Sequence, residues 1–332
     1  MLNKFGQKLF LLILLSFISL TAQDNLKQAT FIPHWSPQAQ FAGYYYAYEK
    51  GIYRAHGIDL IILTGGPYNP ASELVEQGKA DFASLWLTNA IQLRDQGVPV
   101  VHLAQVINRS ALMLVAKKSS GIEKPEDMNG KKVGIWGGDF EIQPLAFFEK
   151  YNLKLRIIPQ GGSINLFLSD AIDVTSAMWY NEYHTILNSG LNPDELSTFF
   201  FFDYNLNFPE EGLYCLERTY AQDPQLCAEF VQASYEGWIG AFAHPDEALE
   251  IVLRYMKATK LAAGRAHQRW MLNRMKDLIF PQGISAAFLP LNETDYLFVS
   301  EKLQENGSIK ATPDFDQFCG NRNRQNDQKG TK

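Results

Sequence analysis

The sequence predicts an α/β fold with two lobes, and three observations lead to this prediction. Two short apolar runs, 29–32 and 60–63, flank a helical segment and so form a βαβ unit. A second series of strand-like and helical segments begins at Val133. After Thr219 the chain is mainly helical. We therefore expect two α/β lobes and a chain that returns from the second lobe to the first.

The first βα unit places an aromatic loop where a ligand is expected. Phe41, Tyr44 and Tyr48 recur at helical spacing after the first apolar run. In open α/β sheets, ligands bind at the carboxyl ends of the strands. The segment 33–37, Pro-His-Trp-Ser-Pro, occupies that position. Its Trp35 would offer a stacking surface to a flat ligand, although packing between lobes explains a tryptophan there equally well.

Two neighbours of Trp35 are weaker candidates. His34 would bond a ring nitrogen of a ligand or, as is more usual, cap a local turn. Tyr44 belongs to a helix with tyrosines on more than one face, so at least one tyrosine should leave the core. A tyrosine at a cleft supplies both a flat face and a hydroxyl.

The remaining segments continue the alternation of short strands and helices. Such strands, buried between helices, predict mostly parallel sheets. Strands are expected at 80–83, 98–106, 111–116, 133–136, 156–159, 173–178 and 199–202. Helices are expected at 71–77, from 85, from 137 to 150, and at 224–243, 245–257, 266–278 and 292–304.

The loop that begins at Gly137 resembles an anion-binding turn but carries the wrong charge. Gly137-Gly138-Asp139-Phe140 stands where a strand meets a helix, the usual place for a phosphate cradle. Glycine there is also ordinary turn chemistry. Because Asp139 and Glu141 would repel a phosphate, we expect an uncharged ligand group at this loop.

The segment Trp179-Tyr180-Asn181-Glu182-Tyr183 is the second concentrated aromatic cluster, again at a strand end. A carboxylate beside aromatic rings suits an aminopyrimidine, because Glu182 would accept from the exocyclic amine while a ring stacks. The alternative is a helix start at which Asn181 and Glu182 satisfy free backbone amides.

Composition and motifs exclude several function classes. The formal charge of −6 argues against nucleic acid or an anionic membrane as partner. Nucleophile elbows, zinc-protease motifs, phosphate loops and dinucleotide fingerprints are absent from the sequence, so no catalytic residue and no cofactor is expected. Cys215, Cys227 and Cys319 lack metal-ligand spacing, and we expect no metal. A Cys215–Cys227 disulfide and three buried thiols both remain open.

The chain ends differ in character from the rest. Residues 1–22 combine a basic start, an apolar core too short for a comfortable membrane span, and small residues before Gln23, which predicts a cleaved signal peptide. Loss of Lys4 and Lys8 would bring the mature charge to −8. The polar tail, 321–332, is expected to be disordered. The mature protein is therefore expected to be exported and soluble.

Several blocks resemble one known family. Trp35, followed by Gln38-Ala39-Gln40-Phe41-Ala42-Gly43-Tyr44-Tyr45 and by Glu49-Lys50-Gly51-Ile52-Tyr53, is similar to the opening signature of the thiamine-pyrimidine-precursor binding proteins of ABC importers. These proteins are homologous to the fungal thiamine-pyrimidine synthase. Segments 76–82, 128–134 and 306–310 resemble further blocks, and Met178-Trp179-Tyr180-Asn181-Glu182-Tyr183 is the most specific match.

The resemblance implies a type II periplasmic-binding fold, with a ligand cleft between two lobes and crossings near Ala116 and Gly212. Lobe 1 would comprise 23–116 plus 213–320, and lobe 2 would comprise 117–212. A formylaminopyrimidine or hydroxymethylpyrimidine would bind between them. The implied ligand-binding residues are Trp35, Tyr44, Asn89, Gly137, Trp179, Tyr180, Asn181 and Glu182, with Trp35 and Tyr180 as stacking residues and Glu182 as partner of the amino edge.

The resemblance also implies an enzymatic alternative, which the residues disfavour. The fungal synthase needs a Schiff-base lysine, a sacrificial histidine and a cysteine-rich iron-binding motif. Leu85, Asn89 and the segment 207–211 occupy those positions here. We therefore expect a binding protein and not an enzyme.

The expected partners are a pyrimidine ligand and the permease and ATPase subunits of an importer. The protein is expected to be a periplasmic monomer. Related receptors carry riboflavin or other heterocycles, and the aromatic content of 13% would serve those ligands too. A sensory role for the same closed form also stays open.

Overall fold

The computed structural model describes residues 26–285 and 287–320. The predicted signal peptide, 1–22, and the predicted disordered tail, 321–332, lie outside the described residues. Within them the chain forms two five-stranded sheets, each flanked by helices. The predicted two-lobe α/β architecture is confirmed.

The first lobe is built on a sheet of strand order β2-β1-β3-β10-β4. Its strands are β1 Lys27–Ile32, β2 Ile58–Ile62, β3 Phe82–Trp86, β4 Val100–Gln105 and β10 Glu211–Leu216. β1 lies parallel to β2 and to β3, whereas β10 is antiparallel to both β3 and β4.

The second lobe repeats this arrangement in the order β7-β6-β8-β5-β9. Its strands are β5 Leu112–Lys117, β6 Lys132–Ile135, β7 Arg156–Pro159, β8 Val174–Met178 and β9 Leu196–Phe200. β6 lies parallel to β7 and β8, and β5 is antiparallel to β8 and β9. In each sheet, the antiparallel strand is the one that arrives from the other lobe. The expectation of mostly parallel sheets therefore holds except at this inserted strand.

The lobe crossings differ slightly from the expected positions. β4 belongs to the first sheet and β5 to the second, so the first crossing lies between 105 and 112, before Ala116. The second crossing lies between 200 and 211, just before Gly212. The apolar run 111–116 indicates a strand, but sequence alone does not say which sheet that strand joins.

The helices agree closely with the sequence pattern. They are α1 Ala42–Glu49, α2 Ala71–Glu76, α3 Leu87–Asp95, α4 Asp139–Lys150, α5 Glu182–Asn188, α6 Glu217–Gln222, α7 Pro224–Ala243, α8 Pro245–Ala258, α9 Arg265–Ile279 and α10 Glu293–Glu305. Single helical turns are formed by Ile52–Ala55, Asn165–Leu168 and Phe315–Phe318. Proline is the first residue of both α7 and α8, where its missing N–H costs no helical hydrogen bond.

Helices α1 and α7 pack closely against each other in the first lobe. A Cβ at Gly43 would lie 2.3 Å from Trp238, and one at Gly237 would lie 2.3 Å from the carbonyl oxygen of Gly43. The two helices approach so closely because glycine occupies both positions. Tyr44 is thereby held in the core, with its ring 5.6 Å from Trp238 in an edge-to-face arrangement.

Two further observations concern the cysteines and the hydropathy of the helices. Cys215, Cys227 and Cys319 are buried thiols in the structure, so the possible Cys215–Cys227 disulfide is not formed. Over residues 26–285 and 287–320, no helix combines the length and the hydropathy that crossing a bilayer requires.

Candidate functional site

The carboxyl ends of β1 and β3 carry a buried polar network in the first lobe. His34 follows β1, and its Nδ1 lies 3.0 Å from the Ser84 Oγ. Trp86, at the end of β3, donates its indole N–H to the His34 Nε2 at 2.9 Å. Because an indole N–H only donates, the His34 Nε2 must be an acceptor and the ring proton must sit on Nδ1. Burial lowers the pKa of His34 to about 3, so the ring is neutral at neutral pH.

Glu211 is the carboxyl group at the centre of this network. Tyr44 donates its hydroxyl to the Glu211 Oε1 at 2.6 Å. The Glu211 Oε2 lies 3.6 Å from the His34 Nδ1, beyond hydrogen-bond distance. Burial, and to a smaller extent the neighbouring Glu210, raise the pKa of Glu211 to about 8, although the hydrogen bond from Tyr44 opposes the rise. Sequence reasoning missed Glu211, because a Pro-Glu-Glu-Gly segment looks like an exposed turn.

Glu210 lies at the hinge between the lobes. Its Oε1 accepts from the backbone N–H of Ala111 at 2.5 Å and from the Ser110 hydroxyl at 3.3 Å. Its backbone N–H donates to the carbonyl of Ile107 at 2.9 Å, so the two crossing segments run side by side. Burial raises the pKa of Glu210 to about 8 as well.

The second lobe brings Tyr180 against this region. Tyr180 is 3% exposed, and burial holds its pKa well above the ordinary value of 10. The charges of Glu210, Glu182 and Glu211 act in the same direction, whereas the Gln40 side chain of the first lobe opposes the rise. A tyrosine of one lobe thus lies among carboxyl groups of both lobes and the hinge.

Glu182 is buried but already has protein partners. Its Oε2 accepts from the backbone N–H of Met178 at 3.0 Å, and its Oε1 accepts from the Asn181 amide at 2.7 Å. Burial raises the pKa of Glu182. These contacts are those of the alternative given above, in which Asn181 and Glu182 satisfy local groups at a helix start.

Asn89 and Gly137 lie on facing sides of the contact between lobes. Asn89, on α3 of the first lobe, donates its amide to Asp139, the first residue of α4 in the second lobe. Gln92 donates to the same carboxylate at 2.6 Å. Gly137 is exposed in the loop before α4. Nearby, the rings of Trp86 and Phe140 meet edge-to-face at 5.0 Å across the two lobes.

Trp179 and Asn181 form a second contact between lobes, with α9. Trp270 donates its indole N–H to the carbonyl of Trp179 at 3.0 Å. The Asn181 Oδ1 lies 2.8 Å from the His267 Nε2. The Trp179 ring therefore packs at the lobe edge, where the Arg274 guanidinium lies 4.8 Å from its centroid.

The predicted site residues therefore fall into three places. Tyr44 and Tyr180 converge on Glu211, with Glu182 close to Tyr180, whereas Asn89, Trp179 and Asn181 form contacts between lobes. Trp35 is 45% exposed on its loop and makes no stacking contact with another described ring. Among residues 26–285 and 287–320, no cluster of three or more acidic, histidine or cysteine side chains is suited to a metal ion.

Comparison with known proteins places the chain in a family. The model of the family described as NMT1/THI5 like matches residues 38–248, which is more than half of the chain. The chain belongs to the NMT1/THI5 like family. The resemblance seen in the sequence blocks is confirmed at this level.

Three relatives show how the similarity is distributed. The riboflavin-binding protein RibY of Chloroflexus aurantiacus is 26% identical over 90% of this chain and 87% of its own. The formylaminopyrimidine-binding protein of Halalkalibacterium halodurans is 25% identical over 74% of this chain and 76% of its own. The 4-amino-5-hydroxymethyl-2-methylpyrimidine phosphate synthase THI5 of Saccharomyces cerevisiae is 29% identical, but over only 38% of this chain and 37% of its own.

Solved structures support the fold. The periplasmic aliphatic sulphonate binding protein SsuA of Escherichia coli superposes with a TM-score of 0.69 at 13% identity, covering 87% of this chain and 91% of that one. The periplasmic-binding-protein fold predicted from the sequence is thus confirmed.

Proposed function

We propose that this chain is the solute-binding component of an ABC importer and that it captures a small planar nitrogen heterocycle by hinge closure. The observation that carries the proposal is the position of Tyr180, buried among the carboxyl groups of Glu182, Glu210 and Glu211. A flat ring and several carboxyl groups meet where two lobes face each other. Such a site suits an aromatic ligand with polar ring edges, and closure follows because the ligand touches both lobes.

A thiamine pyrimidine precursor is the first candidate ligand. One relative is named as a formylaminopyrimidine-binding protein and another as a 4-amino-5-hydroxymethyl-2-methylpyrimidine phosphate synthase, and both names contain an aminopyrimidine. The close approach of the lobes, with Trp86 against Phe140 and Asn89 bonded to Asp139, favours a single six-membered ring over a larger one.

Riboflavin is the second candidate, because one observation favours it. The similarity to the relative named as a riboflavin-binding protein covers nearly the whole of both chains, more than the similarity to the pyrimidine-binding relative. An isoalloxazine would occupy the same cleft if the lobes closed less completely.

The proposal also covers the location, the oligomeric state and the protein partners of the chain. The segment 1–22 has the pattern of a signal peptide, which would deliver the chain to the periplasm as a monomer that docks on a permease and its ATPase. A synthase activity is disfavoured, since Leu85, Asn89 and 207–211 replace the residues that such chemistry requires.

A thermal-shift panel on the chain from Gln23 onward tests the ligand class. The panel contains formylaminopyrimidine, 4-amino-5-hydroxymethyl-2-methylpyrimidine, thiamine, riboflavin and pyridoxal phosphate. A ligand that binds only the folded state raises the Tm in a concentration-dependent way. We expect a rise with the two pyrimidines. A rise with riboflavin alone would replace the ligand, and the absence of any rise would contradict the proposed function.

Calorimetric titration then tests the predicted site residues. Trp35 is exposed, so Trp35→Ala should weaken ligand binding while leaving the Tm of the ligand-free protein nearly unchanged. Glu182→Ala should also weaken binding, but it removes the acceptor of the Met178 and Asn181 hydrogen bonds and should lower the Tm. Unchanged affinity in both variants would remove these two residues from the site.

A further inference from the structure

Two buried carboxyl groups, those of Glu210 and Glu211, lie where the second lobe crossing enters the first sheet. The Oε2 atoms of Glu210 and Glu211 are buried and have no hydrogen-bond partner of acceptable geometry within residues 26–285 and 287–320, although Ser84 and Gln40 lie close enough to Glu211 to lower its pKa. A buried polar atom without a partner is costly, so such atoms point to a group that completes them. The other oxygen, Oε1, has a different donor in each residue. In Glu210 it accepts from the backbone N–H of Ala111 at the hinge, and in Glu211 it accepts from the Tyr44 hydroxyl within the network of strand ends.

We propose that Glu211 is the ligand-recognition carboxyl of the cleft and that, as a neutral acid, it binds a heterocycle edge on which a hydrogen-bond donor and an acceptor stand side by side. This inference rests on the proposed function, because it takes the region around Tyr180 to be the ligand site.

The surroundings of Glu211 explain why it is neutral. Beyond Glu210, the titratable groups that face it are His34, Tyr44, Tyr45, Tyr180 and Tyr214. Burial keeps the His34 ring uncharged at neutral pH, and a tyrosine is never a cation, so none of these groups supplies a positive charge to a carboxylate. Two adjacent buried carboxyls without a cation hold their protons, which agrees with the raised pKa of both.

A neutral carboxyl group is both a donor and an acceptor. Its O–H donates to a ring nitrogen or a carbonyl oxygen, and its C=O accepts from a neighbouring N–H. An aminopyrimidine edge and the imide edge of a flavin both match this pattern. Glu182 is less suited to the task, because Met178 and Asn181 already occupy both of its oxygens.

The experiment measures the affinity for 4-amino-5-hydroxymethyl-2-methylpyrimidine, and separately for riboflavin, by calorimetry between about pH 7 and pH 9.5. Wild-type affinity should fall about tenfold per pH unit above about pH 8, where Glu211 loses its proton. Glu211→Gln, which keeps one donor and one acceptor but cannot ionise, should weaken binding about threefold to tenfold and abolish the pH dependence. Glu211→Leu should weaken binding at least about thirtyfold.

Two matched controls separate recognition from structure. Glu210→Gln removes an acidic group whose ionisation opposes that of Glu211, so the affinity of this variant should begin to fall at a lower pH than that of the wild type. The pyrimidine with a dimethylated exocyclic amine, and riboflavin methylated at the imide nitrogen, should bind the wild type more weakly than the unmethylated compounds do. For Glu211→Leu, methylation of the ligand should cause no additional loss of affinity. The Tm of each ligand-free variant at neutral pH verifies that it is folded.

The possible outcomes are distinct. If the wild type binds the pyrimidine or riboflavin while Glu211→Gln keeps the wild-type affinity and pH slope, the inference is wrong and the proposed function stands. If the wild type binds neither compound, the proposed function fails and this inference fails with it. A loss of the pH slope in Glu211→Gln, together with its shift in Glu210→Gln, supports the inference.

Discussion

At the scale of single residues, the contact between Tyr44 and Glu211 joins the core of the first lobe to the strand that arrives from the second lobe. The Tyr44 ring packs 4.9 Å from Phe31 and 5.6 Å from Trp238, while its hydroxyl reaches the carboxyl group at 2.6 Å. Burial first, and then the adjacent Glu211, raise the pKa of Tyr44 well above 10. The phenol therefore remains a donor at any ordinary pH, and it fixes one oxygen of Glu211.

Removal of this hydroxyl should reduce stability. Tyr44→Phe keeps the packing of the ring but leaves the Glu211 Oε1 without its donor, which should lower the free energy of unfolding by about 1–3 kcal/mol. Urea unfolding at neutral pH measures the change. Tyr48→Phe, at a position 43% exposed on the same helix, is the control and should leave the stability within about 0.5 kcal/mol of the wild type. Equal effects in the two variants would contradict the role given to Tyr44.

At the scale of elements, the most constrained contact is that between α1 and α7. Gly43 and Gly237 face each other across it, and a Cβ at either position would overlap the partner helix. Helix α1 follows the loop of His34 and Trp35 along the chain. The position of α1, which carries Tyr44, thus depends on these two glycines.

An added methyl group should disrupt this packing. Gly43→Ala would bring a Cβ to 2.3 Å from the Trp238 ring, which cannot move freely because it is fully buried. We expect a loss of about 1–3 kcal/mol in the free energy of unfolding, measured by chemical denaturation. Gly162→Ala, where a Cβ meets nothing within 4 Å, is the matched control. A Gly43→Ala protein as stable as this control would show that α1 and α7 can separate at no cost.

The elements also show what the sequence does and does not reveal. Helices α7 to α10 were predicted to within one residue at each end, because prolines and helical periodicity are local signals. The insertion of β5 and β10 as antiparallel strands was not predicted, since strand pairing is a non-local property. The same limit applies to the site: Tyr44 and Tyr180 are visible as aromatic residues at strand ends, but the burial of Glu210 and Glu211 depends on how both crossings pack.

At the scale of the whole molecule, polar contacts away from the hinge help to join the two lobes, and two of them bear on lobe opening. One contact is the pair of amides on α3, Asn89 and Gln92, that bind Asp139. The other is on α9, where the Nδ1 atoms of His184 and His267 lie 3.0 Å apart across the lobes. Both contacts must break if the lobes open, so they contribute to the balance between open and closed forms.

The histidine pair should make this balance depend on pH. Burial lowers the pKa of His184 and of His267, and the charge of His184 lowers that of His267 further. The closed form therefore binds protons less readily than an open form in which both rings are solvated, with pKa values near about 6.5. Closure is fully favoured above that pH and is lost as the pH falls below it. Asp139 acts in the opposite direction, because burial raises its pKa, but its titration begins from a lower value.

We expect the ligand-free protein to open on mild acidification. Small-angle scattering between about pH 7.5 and pH 5.5 should give a radius of gyration that increases as the pH falls, because protonated rings at this contact repel each other. His267→Asn keeps a polar group near Asn181 but cannot take up a proton, and its radius of gyration should stay constant over this range. His244→Asn, at a histidine that stacks on Tyr46 away from the second lobe, should behave like the wild type. A wild-type radius that does not change with pH, or an increase that persists in His267→Asn, would exclude the histidine pair as a determinant of closure.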